Sequence, residues 1–379
     1  MKINIIGGGP AGMYFAILMK KADASHQITV YERNGPDDTF GWGVVFSGKT
    51  LTNLRAADEE SHAEITRSFA AWDNVDVVHR GEKISIHGNS FSGISRLGLL
   101  KILQGRCEQL GIELLFRTEI NDLESLRADC DLLLAADGVN STARKQYAAE
   151  FGPSLDVRPN RYIWYGTHKL FHGLTLTFRE NEGVFAAHSY KFNQTTSTFI
   201  IECDPETWDS AGFAAMNDEE TRRYLEKVFA EDLANQPLLS NNSKWLNFLL
   251  VKNARWSFEN VVLLGDALHT AHFSIGSGTK LALEDAIALF DCFRKNLSVR
   301  AALEEFEATR KPVIEAYQAA ARDSMRWFEN ARDYMHLTPI ELAYSLMTRS
   351  GRVDQEDLKR RDPEFIARYE AETAKGILR

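Results

Sequence analysis

The spacing of apolar residues changes along the chain, and each spacing predicts a different kind of element. Ile3–Ile6 and Leu132–Ala136 are short, unbroken apolar runs, which are typical of strands buried on both faces of a parallel sheet. Gly98–Leu110 instead carries apolar residues at helical spacing. Alternation of period two predicts an antiparallel meander in the middle of the chain, with strands at Thr175–Arg179, Val184–Lys191 and Thr196–Cys203.

The remaining segments complete this picture. Val261–Leu264 is again a short apolar strand, preceded by a helix that Asn217 or Asp218 can cap. The chain is helical in composition beyond Ala301, and the charged stretch Arg349–Arg379 predicts surface helices or a frayed end. The glycine- and aromatic-rich segment Phe40–Gly48 fits neither period, so we interpret it as a loop lining a ligand.

The order of these patterns predicts an α/β fold, α+β overall, with a Rossmann-like domain and an interleaved antiparallel-sheet domain. We assign residues 1–70, 95–155 and 253–320 to the Rossmann-like domain and residues 71–94 and 156–252 to the antiparallel-sheet domain. Residues 321–379 form a C-terminal helical segment in this prediction. A chain of 379 residues is long enough for two such cores.

Composition narrows the function classes. A formal charge of −9 gives no overall basic field, so nucleic acid is an unexpected partner. The four cysteines form no CxxC motif, and we predict neither a metal site nor disulfides. No apolar run reaches the length of a spanning helix and no leader precedes the first strand, which predicts a cytoplasmic protein without a membrane partner, as a monomer or a homodimer.

A GxGxxG motif, GGGPAG, follows the first strand and opens a helix, which is the context that dinucleotide binding requires. Gly7 permits the tight turn, Gly9 lets a pyrophosphate approach the backbone, and Gly12 lets helix and strand pack closely. Glu32 ends the second strand, where a carboxylate can accept hydrogen bonds from ribose hydroxyls. A dinucleotide is therefore predicted at this turn.

Two further motifs favour FAD as that dinucleotide. Asp137 and the pair Gly265-Asp266 each follow a buried strand, where the ligand crevice of a parallel sheet lies. Gly276 and Gly278 precede a helix whose start can stabilise negative charge on a reduced flavin. Either aspartate alone would suit a helix cap or a turn, but the three motifs together favour FAD.

Three motifs follow one another along the chain: GGGPAG with Glu32, DGVNSTAR and GDALHT. In the order and spacing of these motifs, the chain from Met1 to about Arg326 resembles the flavoprotein aromatic hydroxylases of the para-hydroxybenzoate hydroxylase type. Within that group, four segments are similar to the salicylyl-CoA 5-hydroxylases and to the monooxygenase half of anthraniloyl-CoA monooxygenase/reductase. These segments are GWGVVFSG at 41–48, GISRLGLL at 93–100, NRYIWYGTHKLF at 160–171 and GDALHTAHFSIGSGTKLALEDA at 265–286. The tryptophan hydroxylase of violacein biosynthesis has a related pattern. The sequence departs from the group at His272–Ile275, where a proline is usual.

The resemblance implies an enzyme that holds FAD and takes electrons from NADH or NADPH, which binds transiently. The reduced flavin would then form a hydroperoxide with dioxygen and hydroxylate an aromatic ring, with salicylyl-CoA to gentisyl-CoA as the leading reaction. Tryptophan, another indole or another free aromatic is the alternative substrate. An NAD-dependent dehydrogenase, which the GD motif disfavours, and a non-enzymatic flavin module are the other classes.

The resemblance also implies that Arg96, Asp137 and Asp266 are flavin-site residues, and Arg33, beside Glu32, is a further predicted cofactor contact. The remaining site predictions come from position near these motifs. For the substrate pocket the predicted residues are Val45, Phe46, Tyr165 and His188. As candidates for catalysis we take His269 and His272, which follow the GD motif.

Overall fold

The computed structural model describes residues 1–276, 278–296 and 298–377, with side chains through residue 374. The strands are β1 (Lys2–Ile6), β2 (Gln27–Glu32), β3 (Gly43–Ser47), β4 (Ala70–Trp72), β5 (Val75–His79), β6 (Glu82–Ile86), β7 (Phe91–Ser95), β8 (Glu113–Phe116), β9 (Leu132–Ala135), β10 (Pro153–Thr167), β11 (Leu174–Glu180), β12 (Val184–Lys191), β13 (Ser197–Cys203), β14 (Leu238–Leu239), β15 (Leu246–Asn253), β16 (Ser257–Phe258) and β17 (Val261–Leu263).

The α-helices are α1 (Pro10–Ala22), α2 (Gly48–Ala57), α3 (Glu59–Arg67), α4 (Arg96–Gln109), α5 (Leu123–Ala128), α6 (Thr142–Gln146), α7 (Ala148–Phe151), α8 (Pro205–Ser210), α9 (Asp218–Val228), α10 (Ala230–Leu233), α11 (Gly278–Lys295), α12 (Val299–Glu329), α13 (Pro339–Thr348), α14 (Gln355–Arg361) and α15 (Pro363–Ile377). Short 3-10 helices lie at Phe213–Ala215, Gly265–Ala267, Phe273–Ile275 and Ala331–Tyr334. Among the described residues, none of the helices combines the length and the apolar character needed to cross a membrane.

The first sheet has the strand order β16-β17-β9-β1-β2-β8 within the described part of the chain, and it is parallel from β17 to β8. β1 is a central strand, and its side chains from Ile3 to Ile6 are buried because sheet neighbours and helices cover both faces. α1 begins with Pro10, whose fixed φ and missing N–H suit the first helical position. The predicted Rossmann-like unit is confirmed.

The large second sheet has the order β14-β10-β13-β12-β11-β5-β6, with β15 alongside β10. Its β11, β12 and β13 are antiparallel neighbours, as the alternation of period two predicts. The helix after residue 217 is also as predicted: Asn217 and Glu220 form a capping box at the start of α9. The α/β fold with an interleaved antiparallel sheet is therefore confirmed.

One expectation about local structure is wrong and another is confirmed. The segment from Phe40 to Gly48 is not wholly a loop, because Gly43–Ser47 forms β3, which pairs with β7 in a three-stranded sheet. The charged C-terminal stretch forms the helices α14 and α15, as predicted, although Phe365 and Ile366 of α15 are buried. Their apolar side chains are spaced so that one face of α15 packs inward, while the charged residues cover the other face. Residues 378 and 379 of this stretch lie outside the described residues.

Three apolar cores hold the molecule together. The first surrounds the parallel sheet and includes α1, α4 and α11. The second lies between one face of the large sheet and the C-terminal helices, and the third lies between the opposite face and α8–α10. α12 runs across residue 320, which the sequence-based domain division places at a boundary. The domain division itself stays a prediction.

Candidate active site

The glycine turn after β1 is shaped by two close backbone approaches and one open position. Gly7 has φ of +102°, and a Cβ there would lie 2.2 Å from the carbonyl oxygen of Ala136. A Cβ on Gly12 would lie 2.4 Å from the Gly7 carbonyl oxygen. Gly9 differs, because a Cβ there would meet nothing within 4 Å. The fold thus requires the first two glycines, whereas Gly9 leaves open space at the start of α1, where a pyrophosphate would fit.

Glu32 holds this turn from the end of β2. Its Oε2 accepts a hydrogen bond from the Gly8 N–H at 2.8 Å, and its Oε1 accepts one from the Asn34 N–H at 2.8 Å. A carboxylate has about four acceptor positions, so Glu32 can still accept from ribose hydroxyls. The neighbouring Arg33 is exposed, and we retain it as a predicted cofactor contact.

Asp137 follows β9 and serves two purposes. Its Oδ2 accepts hydrogen bonds from the N–H groups of Thr142 at 2.7 Å and Ala143 at 3.3 Å, which caps the start of α6. Its Oδ1 is buried, and it has no hydrogen-bond partner within the described part of the chain. A buried acceptor without a partner costs free energy, so this oxygen fits a ligand hydroxyl in the crevice.

Arg96 and Asp266 face each other across the same crevice although they are far apart in sequence. Arg96 begins α4, and its positive charge acts on Asp266 and on the phenol groups of Tyr162 and Tyr190. Asp266 is exposed to the open cleft, yet surrounding protein atoms raise the pKa of its carboxyl by desolvation while Arg96 opposes that shift. The side chain of Arg96 makes no hydrogen bond or ion pair with the described residues. A guanidinium placed in this way suits an anionic ligand.

The loop that begins at the Gly265-Asp266 pair, residues 265–276, leads to α11, and we call it the GD loop. Gly276 has φ of +60°, and Gly278 is the first residue of that helix. His272 starts the 3-10 turn of this loop: its Nδ1 lies 2.9 Å from the Ser274 hydroxyl. Burial lowers the pKa of His272 to about 4, so its ring is neutral at pH 7. The catalytic role predicted for His272 stays a prediction, and at pH 7 the ring could take part only as a neutral hydrogen-bonding group.

His269 is tied to the helix that follows the loop. Its Nε2 lies 2.8 Å from Oδ2 of Asp285 on α11, and Oδ1 of Asp285 accepts a 2.8 Å hydrogen bond from Arg310. His269 and Asp285 are both buried. The ring of His269 therefore holds the GD loop against α11, and the catalytic role of His269 stays a prediction.

Alternation along the large sheet separates the predicted substrate residues. His188 lies on the face that meets the GD loop, with its ring centroid 5.4 Å from that of Phe273. Tyr165 points to the opposite face, where it is fully buried and its hydroxyl donates to Asp218 at 3.0 Å. The structure contradicts the prediction for Tyr165, because neighbouring residues of a strand point to opposite faces and the sequence does not say which face meets the cofactor.

Alternation along β3 also separates the two substrate residues predicted there. Phe46 is 1% exposed and packs in the first core, with its ring 5.7 Å from that of Phe69. Phe46 is therefore a core residue, contrary to its prediction as a substrate contact. Val45 lies on the other side of β3 and is partly exposed, so it remains a candidate.

Several residues near the cleft were not predicted from the sequence. The most informative is Glu202, which is 2% exposed and lies directly across the sheet from Tyr162. The sequence did contain a signal for Glu202, because it is a charged residue in an otherwise uncharged strand. Phe273 gave none, since only the folded loop brings its ring to 4.8 Å from that of Tyr162. Arg349 is distant in sequence, yet it donates to the Ser274 carbonyl oxygen at 2.8 Å.

Comparison with known proteins is consistent with this crevice. Residues 1–321 match the family model of the FAD binding domain. Salicyloyl-CoA 5-hydroxylase from a Streptomyces species is 39% identical over 98% of this chain and 73% of that protein. Protodeoxyviolaceinate monooxygenase of Chromobacterium violaceum is 35% identical over 92% of this chain and 94% of that protein.

A solved structure shows the same fold. The crystallised tetrameric form of 2-methyl-3-hydroxypyridine-5-carboxylic acid oxygenase superposes with a TM-score of 0.72 at 18% identity, over 95% of this chain and 97% of that one. The open position at Gly9, the unpartnered oxygen of Asp137 and the guanidinium of Arg96 fit FAD. From the family match, the relatives and this crevice together we conclude that the chain belongs to the FAD-dependent aromatic monooxygenases.

Proposed function

We propose that this enzyme hydroxylates the ring of an aryl-CoA thioester with NADH or NADPH and dioxygen, and that its leading reaction is salicylyl-CoA to gentisyl-CoA. The observation that carries this proposal is the 39% identity to a salicyloyl-CoA 5-hydroxylase along nearly the whole chain. A second relative, from Streptosporangium sibiricum, is 36% identical and oxidises an anthranilyl group carried on an aryl-carrier protein. Both relatives act on an aromatic acyl group held by a larger carrier.

The residues of the crevice would hold FAD in a defined order. The turn at Gly7–Gly12 would receive the pyrophosphate, Glu32 the ribose, and Arg96, Asp137 and Asp266 the remaining polar groups. Bound FAD supplies the redox chemistry, since it takes a hydride from the nicotinamide and activates dioxygen. The start of α11 after Gly276 carries backbone N–H groups and a helix dipole, which stabilise negative charge beside them.

The part of the protein itself is to position the ring and to exclude water. The cofactor-side face of the large sheet presents Tyr162 and His188, and the GD loop adds Phe273 between them. These rings form an apolar wall that suits a flat aromatic substrate. Excluding water there strengthens the remaining polar interactions and protects the oxygen-transfer step from side reactions.

The CoA tail must bind through local contacts. At long range a protein with a net charge of −9 repels its phosphates, so nearby Lys and Arg side chains have to supply the attraction. Such contacts weaken as salt screens them. Because tail binding can help to orient the ring, removal of the tail should lower turnover as well as apparent affinity.

A panel of substrates tests the proposal. NADH and NADPH oxidation and hydroxylated product would be measured with salicylyl-CoA, benzoyl-CoA, anthraniloyl-CoA, free salicylate and tryptophan, at two salt concentrations. We expect coupled product formation with salicylyl-CoA, weak coupling with free salicylate and a lower apparent affinity at high salt. Coupled hydroxylation of tryptophan with no response to any thioester would overturn the proposal.

That outcome would favour the alternative, hydroxylation of an indole or another free aromatic. The 35% identity to protodeoxyviolaceinate monooxygenase supports this second candidate, because that relative acts on protodeoxyviolaceinate and not on a CoA or carrier-protein thioester. The preferred nicotinamide, the cytoplasmic location and the choice between a monomer and a homodimer stay predictions.

A further inference from the structure

A buried glutamate on the cofactor-facing side of the large sheet has no role in the function described so far. Glu202 lies on β13 and is 2% exposed. Asn160 donates to its Oε1 at 3.2 Å, and His188 Nε2 lies 3.2 Å from its Oε2. The two atoms are within ion-pair distance, although their geometry falls outside the limits of a hydrogen bond. Burying a carboxylate is costly unless neighbouring groups compensate its charge.

The surroundings of Glu202 favour its ionised form. Burial by itself raises the pKa of the Glu202 carboxyl, but the contacts with His188 and Asn160 help to bring this pKa below its ordinary value. An ionised carboxylate can only accept, so Nε2 is the nitrogen of His188 that faces it with a proton. Nδ1 of His188 then carries the lone pair, and it has no hydrogen-bond partner in the described part of the chain.

Titratable and charged groups from several elements surround this pair. Arg349, which follows α13, acts on Glu202 through its charge, while His272 of the GD loop contributes a neutral ring at pH 7. Arg158 of β10 acts on His272 from the side of the sheet. The two arginines add positive charge near the pair, and the carboxylate of Glu202 places negative charge directly beside the imidazole of His188.

His188 is also placed against the loop that leads from Asp266 to α11. Its ring lies between two aromatic rings, with centroid distances of 5.4 Å to Phe273 and 4.7 Å to Phe328. Phe273 in turn contacts Tyr162, whose phenol is within the electrostatic reach of Asp266. The imidazole thus lies at the wall where the proposed function places the aromatic ring.

We propose that His188 accepts the phenolic proton of the aromatic substrate and that Glu202 is the positioning residue that balances the resulting charge. The inference rests on the proposed function and concerns hydroxyaryl substrates. The O–H bond of the phenol breaks, a bond from that hydrogen to Nδ1 forms, and the electron pair stays on oxygen. The phenolate oxygen then enriches the ring carbon para to it, which is the position that receives oxygen in the leading reaction.

Ionisation of the bound phenol can be measured without turnover. Oxidised, FAD-loaded enzyme would be mixed with salicylyl-CoA in the absence of a nicotinamide, and phenolate absorbance would be followed against pH. We expect the wild-type enzyme to ionise the phenol at a lower pH than free solution does. In Glu202→Gln and His188→Gln the midpoint should rise by about one pH unit or more, which is a tenfold change in the ionisation constant.

Turnover supplies the second readout and the controls. In both variants kcat should fall and its pH profile should move upward, with a smaller effect on KM. The exposed His172→Asn serves as the matched control and should keep the wild-type midpoint. Variants that lose stability or flavin but keep the wild-type midpoint would show a merely structural pair and overturn the inference.

The same experiments distinguish a failure of this inference from a failure of the proposed function. Wild-type enzyme that turns over salicylyl-CoA but ionises its phenol as free solution does would refute the role of His188 and leave the function standing. Wild-type enzyme that neither binds nor hydroxylates any aryl thioester in the panel would overturn both. The Glu202→Gln side chain is nearly isosteric with the wild-type one, and His188→Gln removes the proposed base in a separate protein. If one of these variants fails to fold, the other still tests the inference.

Discussion

Single residues at the crevice are required for two different reasons. Gly7 and Gly12 are required by the fold, because a side chain at either one would collide with backbone atoms. Gly9 has no such neighbour, and its φ of −79° and ψ of 175° are open to any residue. The structure therefore separates glycines that shape the turn from the glycine that leaves space for the cofactor.

This difference predicts the effect of Gly9→Val. The variant should fold with a nearly unchanged unfolding midpoint, whereas its side chain should occupy the pyrophosphate position and weaken FAD binding by at least about tenfold, or about 1.4 kcal/mol. Flavin absorbance after purification and titration with FAD measure this. Gly105→Val, at another position where a Cβ meets nothing within 4 Å, should stay yellow. A yellow Gly9→Val protein would contradict the assignment of the turn.

His272 predicts part of the pH dependence of stability. Its pKa is about 4 in the folded protein, below the ordinary value of 6.5, so the unfolded chain takes up a proton first as the pH falls. The stability contribution is complete above about pH 6.5 and declines toward pH 4, by up to about 1.4 kcal/mol per pH unit. Urea unfolding of His272→Asn should show a shallower decline than wild type between these values. The exposed His87→Asn should follow wild type, and equal slopes for His272→Asn would contradict this origin.

At the scale of elements, the GD loop is held from both of its sides. His269 ties it to α11 through Asp285, while Arg349 reaches it from the end of α13. The guanidinium of Arg349 donates to the Ser274 carbonyl oxygen and to the Ser324 hydroxyl, each at 2.8 Å. A helix outside the matched FAD binding domain thus helps to shape the loop before Gly276.

Arg349→Ala should therefore affect both stability and the cofactor. Loss of the arginine leaves buried oxygens of Ser274 and Ser324 without these donors, which we expect to cost about 1–3 kcal/mol in urea unfolding. FAD affinity should also fall, because the loop before α11 loses its support. Arg349→Lys should recover only part of the loss, since one ammonium cannot reproduce the planar fork. Arg360→Ala, on the exposed side of α14, is the control, and an Arg349→Ala protein equal to it in both measurements would contradict the prediction.

At the scale of the whole molecule, the C-terminal helices complete the second core. Leu342, Leu346 and Leu358 are fully buried there against the large sheet, on the same side as Leu176 and Phe178. Burial of each such side chain contributes about 1.5–3 kcal/mol. Together these three side chains contribute about 4.5–9 kcal/mol, which is comparable to the whole of a typical stability of about 5–15 kcal/mol, so the sheet depends on these helices.

A chain shortened to residues 1–338 should therefore be insoluble or lack a cooperative unfolding transition, although it retains all of the matched FAD binding domain. Leu346→Ala gives a graded version, with an expected loss of about 2–5 kcal/mol in urea unfolding. The exposed Lys359→Ala should leave stability unchanged. A shortened chain that is soluble, yellow and cooperatively folded would show that residues 339–379 are a separate addition.

Local patterns in the sequence determined the elements and the cofactor motifs. The apolar run at β1, the glycines of the turn and the alternation along β11–β13 each depend on neighbours close in the chain. Steric limits on the backbone and the two-residue repeat of a strand act over such short distances, so the sequence predicts them directly. Local motifs likewise single out Gly9, Asp137 and Asp266, whose contact with FAD stays a prediction.

Only the tertiary structure decided which faces and which distant residues meet. Alternation placed Tyr165 and His188 on opposite sides of the sheet, but packing against the GD loop selected the side of His188. The fold also pairs His269 with Asp285 of α11, and it brings Arg349 to the Ser274 carbonyl oxygen, 75 positions away in the chain. These contacts join segments far apart in the chain, and their free energy depends on burial and partners that no local pattern contains.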